Sequence, residues 1–152
     1  MNYFPFKSQG YIRPVEDWWL LLTCDPEIVR YYCWLAKTWG IEIEAGSRHG
    51  THISAVKGER IKNKKLWYNL KGRSVQFEYS NQLRHNGYHC WLDVRSRELS
   101  KLRQSLGIKE KPYHSFHLTI GRLRHNMDHI SHEPRPKNLK KKKRKPDTKS
   151  QY

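Results

Sequence analysis

Two short stretches of this chain repeat one chemical pattern. Thr51-His52-Ile53-Ser54-Ala55-Val56 and Phe116-His117-Leu118-Thr119-Ile120-Gly121 each run histidine, apolar residue, hydroxyl residue, apolar residue. In a strand, residues two apart point to the same face. His52 and Ser54 therefore share a face, as do His117 and Thr119, while Ile53 and Leu118 turn the other way into a core. If the two strands occupy corresponding places in the fold, two imidazoles and two hydroxyls meet. That set suits a phosphodiester. A neutral imidazole takes a proton from an attacking hydroxyl or water, and a protonated one gives a proton to the departing oxygen. Both start from a pKa of about 6.5, so base and acid coexist near neutral pH. The hydroxyls of Ser54 and Thr119 would donate to the non-bridging phosphate oxygens, where charge builds in the transition state. This chemistry needs neither metal nor cofactor.

A lone His-x-Ser is common. Two of them, 65 residues apart on strand-like stretches, are a stronger signal. The bland alternative is a pair of unrelated strand histidines held by the core. His49-Gly50-Thr51 also fits His-x-Thr, but it sits in a glycine-flanked loop whose neighbours do not alternate. It belongs near the mouth of a cleft, and His52 and Ser54 remain the catalytic pair.

The elements that must position these residues can be read coarsely. Asp17 to Cys24 reads as a buried strand. Asp25, Pro26 and Glu27 form an N-cap, a first helical position and a first-turn acid, and apolar residues follow at helical spacing until Gly40. Ile41 to Ala45 and Thr51 to Val56 read as strands joined by Gly46-Ser47-Arg48-His49-Gly50. Lys64 to Leu70 reads as a short helix. Ser74 to Tyr79 alternates as a half-buried strand, Asn86-Gly87 marks a turn, and Tyr88 to Val94 is the next strand. Ser96 caps a helix bearing Leu99, Leu102 and Leu106. Ser115 to Gly121 is the last strand. The pairs Trp18-Trp19 and Tyr31-Tyr32 read as core and helix packing. The order predicts an α+β domain over residues 1–133, with two similar halves, packed antiparallel sheets and helices on their outer faces.

The chain has 152 residues, and its formal net charge of +16 divides unevenly. Residues 134–152 hold nine Lys or Arg and one Asp, with Leu139-Lys140-Lys141-Lys142-Lys143-Arg144-Lys145 at their centre. Such a segment has little to bury and reads as a disordered arm, suited to loose polyanion contact through counterion release. The body is basic as well, which suggests an anionic ligand. Aromatic residues make up 12% of the chain, too many for a wholly disordered polyelectrolyte. No apolar run approaches the roughly 18 residues of a membrane span, and the first residues lack a signal-peptide pattern, so a cytoplasmic protein is expected. Cys24, Cys33 and Cys90 lie in apolar stretches and read as reduced, buried thiols. Oligomeric state is not readable.

The duplicated strands, together with Val15-Glu16-Asp17-Trp18-Trp19, Lys57-Gly58-Glu59, Val75-Gln76-Phe77-Glu78-Tyr79 and Trp91-Leu92-Asp93-Val94, resemble the two-histidine (2H) phosphoesterases. The resemblance is closest to the small anti-CBASS nucleases of tailed phages, and it covers most of the body and none of the lysine tail. It implies a two-lobed, pseudo-symmetric α+β domain around a central cleft. It also implies metal-independent cleavage of cyclic oligonucleotide signals at a 3′–5′ linkage in the host bacterial cytoplasm. His52 and His117 would be acid and base, in an order left open, and Ser54 and Thr119 the phosphate-holding hydroxyls. Ser54 stands where the family commonly has Thr, which keeps the hydroxyl and frees its rotamer.

A nucleotide ligand needs stacking surfaces for its bases. Tyr11, in an apparent loop at Gly10-Tyr11-Ile12-Arg13-Pro14, and Trp67 are the candidates. Lys57 and Arg122 follow the two motifs at corresponding positions and are candidates to face phosphates. His125, His129 and His132 fall at helical spacing but lack the further ligands of a zinc site, so they read as surface residues. His89 alternates out of phase with its apolar neighbours and reads as solvent-facing. The competing functions are a related enzyme acting on RNA ends or 2′,3′-cyclic phosphates, and a non-catalytic nucleic-acid-binding protein whose histidines are structural.

Overall fold

The computed structural model describes residues 2–124. His125, His129, His132 and the lysine tail lie outside the described residues. In chain order the elements are β1 (Phe6–Glu16), β2 (Trp19–Thr23), α1 (Pro26–Thr38), β3 (Ile43–Glu44), β4 (His52–Lys57), α2 (Lys64–Tyr68), β5 (Ser74–Tyr79), β6 (Arg84–His85), β7 (His89–Arg95), α3 (Arg97–Ser105) and β8 (His117–Leu123). The fold is α+β, with one antiparallel sheet in the order β3-β8-β4-β2-β1-β5-β7-β6. A further pairing of β8 with β7 closes the six central strands into a circuit. Two seams in that circuit are narrow. β4 meets β8 through the single pair Ile53 and Leu118, and β5 meets β7 through two pairs. No described helix is long and apolar enough to cross a membrane.

Local chemistry explains the helices. Asp25 caps α1 by accepting from the Glu27 amide, with Pro26 at the start. Ser96 caps α3 by accepting from the Leu99 amide. Ile28, Val29 and Tyr32 of α1 and Leu99 and Leu102 of α3 join Leu20, Leu22, Ile53, Val56, Leu92, Leu118 and Ile120 of the strands in one core. The helices thus pack on one face of the sheet and leave the other face polar.

Several sequence expectations change. Tyr11 lies on β1, an eleven-residue strand, and not in a loop. That strand is hard to read because only Gly10 and Ile12 are buried along it. Gly10 and Pro14 look like turn residues but have other reasons. A Cβ at Gly10 would come within 2.4 Å of the Thr23 carbonyl, and Pro14 sits at a register shift against β2. β3 pairs with β8, so β3 and β4 do not form a hairpin. Trp67 is 2% exposed, packed in the core, and presents no face to a ligand. Trp18 and Tyr31, expected to be packed, are about half exposed. Cys24 and Cys90 are buried and Cys33 is half-buried, all as free thiols. Burial pushes the Cys24 thiol up to about 12, which leaves it inert.

Candidate active site

The ladder registers place both motifs on the polar face. Thr23 pairs with His52 and Leu21 with Ser54, while Asp93 pairs with His117 and Trp91 with Thr119. The bridge between Ile53 and Leu118 makes β4 and β8 antiparallel neighbours. Continued by one residue each way, that register sets His52 across from Thr119 and Ser54 across from His117. The fold therefore gathers the two histidines and two hydroxyls around one seam.

The two strands match beyond the motif. His52 Nδ1 lies 2.7 Å from the Gly50 carbonyl oxygen, and His117 Nδ1 lies 3.2 Å from that of Ser115. A carbonyl only accepts, so Nδ1 carries the proton in each ring and Nε2 is left for chemistry. Both carbonyls belong to residues with left-handed backbone: Gly50 at φ 73° and Ser115 at φ 57°. Ser115 is the one such non-glycine among the described residues. Past the hydroxyl, each strand carries a β-bulge at the same offset. Ser54 and Val56 pair with adjacent residues of β2, which leaves Ala55 extra, and Thr119 and Gly121 pair with adjacent residues of β7, which leaves Ile120 extra. A bulge shifts the alternation by one residue. Lys57 therefore pairs with Trp19, and Arg122 with His89, on the same face as the histidines. The bulges thus turn both cations to the face that carries the histidines.

The surroundings of the two halves differ. Desolvation lowers the pKa of His52 from its ordinary 6.5; the Gly50 hydrogen bond opposes this, while the charges of His49, Arg13 and Lys57 push the same way. The His117 side carries an ion pair instead of free cations. Asp93 stands across the ladder and accepts from Tyr3 Oη and Arg84 at 2.8 Å and from Trp91 Nε1 at 3.2 Å. Those donors hold its carboxyl below the usual range, against the opposing effect of burial. Arg122, exposed, is held further into its charged form by Tyr88 and Glu44.

Sequence reasoning did not mark Trp19 as part of the site. Its indole Nε1 donates to Ser54 Oγ at 3.1 Å, its ring meets those of His49 and His52 edge-on at 4.6 and 5.8 Å, and Lys57 Nζ lies 4.6 Å from its centroid. With its oxygen occupied by the indole, the Ser54 hydroxyl is left to donate its own proton. Tyr11 pairs with Thr23, which pairs with His52, so Tyr11 stands two strand spacings, about 10 Å, from the imidazole. It is 53% exposed, as a stacking residue must be. Leu21, on the same face, is fully buried and forms the apolar floor beside Ser54. A cavity of about 540 Å³ lined in part by Arg84, Trp91, Asp93, His114 and Ser115 adjoins the His117 side. A larger one, about 850 Å³, lies along β1 and β5 beside Gln9, Gln76 and Glu78. Neither is lined by the two histidines, and the chemistry, not the volume, locates the site. Comparison with protein-family models, curated proteins and solved structures finds no match.

Proposed function

We propose that the chain is a phosphodiesterase that cleaves 3′–5′ linkages of cyclic oligonucleotides by acid–base catalysis between His52 and His117. In this reading the strands β4, β2, β1 and β5 form one lobe of a pseudo-symmetric 2H phosphoesterase domain, and β3, β8, β7 and β6 the other. The polar face is the cleft, and the helices lie outside. The observation that carries the reading is the duplicated frame: a left-handed residue, a histidine with its Nδ1 tied back, a hydroxyl, a bulge and a cation, in the same order on both strands. The role that goes with this chemistry is removal of a cyclic nucleotide alarm signal by a phage in the host cytoplasm.

The uncompensated cations around His52 support one order of roles. His52 is held toward its neutral form and takes the proton from the nucleophile. His117 delivers the proton to the leaving oxygen. The hydroxyls of Ser54 and Thr119 donate to the non-bridging oxygens, and Lys57 and Arg122 balance the phosphate charge from either end. The test is incubation of cyclic di- and trinucleotides with the full chain in excess EDTA, followed by liquid chromatography with a single-stranded RNA control. Linearised products are expected. kcat/KM should rise with pH through a limb lying below 6.5, because the base works only when deprotonated and its pKa is lowered. Intact cyclic species throughout would sink the proposal, and cleavage of RNA alone would move it to RNA-directed enzymes.

Trp19 acts here as a positioning residue. Trp19→Phe keeps the ring over Lys57 and removes the N–H. One hydrogen bond is worth about 0.5–1.5 kcal/mol, so kcat should fall roughly two- to twelve-fold. In a Ser54→Ala background the same change should cost nothing further, since the bond is already gone. An undiminished loss in that background would mean that Trp19 acts through packing instead.

A further inference from the structure

One end of the polar face carries positive charge that the four catalytic residues do not use. Arg13 pairs with Leu21, which pairs with Ser54, so its position is two strand spacings from that hydroxyl. Its Nη2 donates to the His49 carbonyl at 2.6 Å. That bond ties β1 to the loop before β4 and brings the His49 ring to 6.5 Å from that of His52. Lys57 completes the group over Trp19. Among the described residues neither Arg13 nor Lys57 enters an ion pair, whereas Arg84, Arg95, Arg103 and Arg124 all do. On the opposite side of the seam, Asp93 compensates Arg84. Beside the group, at the turn between β1 and β2, Trp18 stacks on Trp19 with centroids 5.7 Å apart and planes 7° from parallel. Trp18 is 49% exposed, so the stack ends on an open indole face. An aromatic plane beside unpaired cations is what a nucleotide needs, one for its base and the other for its phosphate.

We propose that Arg13 and His49 form a subsite for a second phosphate of the same substrate, with Trp18 stacking the adjoining base. This rests on the phosphodiesterase reading and deepens it. The substrate must carry at least two phosphates, one at the histidines and one on the Arg13 side, so a lone 2′,3′-cyclic mononucleotide leaves half the site empty. The bond from Arg13 to the His49 carbonyl fixes the guanidinium before ligand arrives, which lowers the ordering cost of binding.

The experiment compares a 3′–5′ cyclic dinucleotide with a nucleoside 3′-(4-nitrophenyl) phosphate, which offers the same reaction with one phosphate. Arg13→Met should raise KM for the dinucleotide at least five-fold more than for the ester, and Trp18→Ala should show the same bias without touching the sheet. Any effect of Arg13 on His52 acts on both substrates and cancels in the ratio. Equal effects on the two substrates, or none on either, overturn the proposal. Calorimetry with the cyclic dinucleotide and a nucleoside 3′-phosphate gives the same ratio as dissociation constants, without turnover. Cleavage absent but Arg13-dependent preference for the dinucleotide retained would sink the enzyme and leave the subsite. Cleavage present with no such preference would do the reverse.

Discussion

His52→Ala and His117→Ala should each lower kcat/KM for a cyclic dinucleotide by about 10²–10⁴-fold, the usual worth of a positioned acid or base. The two losses should not multiply in the double variant, because proton removal and proton delivery serve one displacement. The leaving group tells the two histidines apart. 4-Nitrophenolate departs without a proton, so the acid is dispensable on a nucleoside 3′-(4-nitrophenyl) phosphate and the base is not. His117→Ala should therefore recover most of its activity on that ester, while His52→Ala stays inactive on both substrates. The opposite pattern would exchange the roles and contradict the charge asymmetry, in which His52 is desolvated among cations and His117 stands across from Asp93. Equal loss on both substrates would mean that the histidines hold the fold. Neither ring is in the core, and each is tied only to a carbonyl two residues back, so thermal stability should change little.

Arg103→Met should produce the largest loss of stability. Arg103 is 0% exposed, yet every nitrogen of its guanidinium has a partner. Nη1 donates to the Ala55 carbonyl at 2.8 Å, Nε to the Lys109 carbonyl at 2.8 Å, and the fork grips Glu59 with two bonds of 2.6 Å. Removing one partner of a buried pair costs about 3–5 kcal/mol. Glu59 is 31% exposed and rehydrates in part, so about 3 kcal/mol is expected. For a domain of this size that corresponds to a fall in Tm of roughly 10 °C. Arg103→Lys should not rescue it, since an ammonium cannot reproduce the fork. Arg103→Met with Glu59→Met should recover much of the loss, because the stranded carboxylate goes too. The check is thermal unfolding followed by circular dichroism, and a Tm within 2 or 3 °C (roughly 1 kcal/mol) of the parent in the single variant would contradict the argument. Activity should fall with stability, because Ala55 is the bulged residue of β4.

What could be read in the sequence divides by physical cause. β4 and β8 were legible because His52-x-Ser54 and His117-x-Thr119 alternate with Ile53 and Leu118. α1 and α3 were legible through Asp25 and Ser96 and the leucines they precede. β1 was not, since its apolar content is low and Gly10 and Pro14 carry turn chemistry on their surface. The bulges left one trace. Ala55-Val56 and Ile120-Gly121 put two non-polar residues together where strict alternation would place a polar one second. Trp19 and Arg103 act through contacts 35 and 44 residues away, to Ser54 and Glu59, and no local pattern reports such distances. Trp18 misled because a tryptophan pair beside three leucines reads as core, whereas the hairpin tip turns one indole outward.

The narrow seams bear on how this sheet behaves in company. A strand that loses its neighbour offers bare amides and carbonyls to any passing chain, the usual beginning of aggregation. Where β5 leaves β7, the Gln76 amide donates to Glu98 at 2.8 Å and its carbonyl accepts from Ser96 at 2.6 Å. Where β4 carries its bulge, Arg103 takes the Ala55 carbonyl. All three side chains come from the start or body of α3, so one helix stands in for a missing strand at two places. The outermost strands of the sheet, β3 and β6, are only two residues long. The sheet parts at two seams while giving another chain almost nothing to pair with.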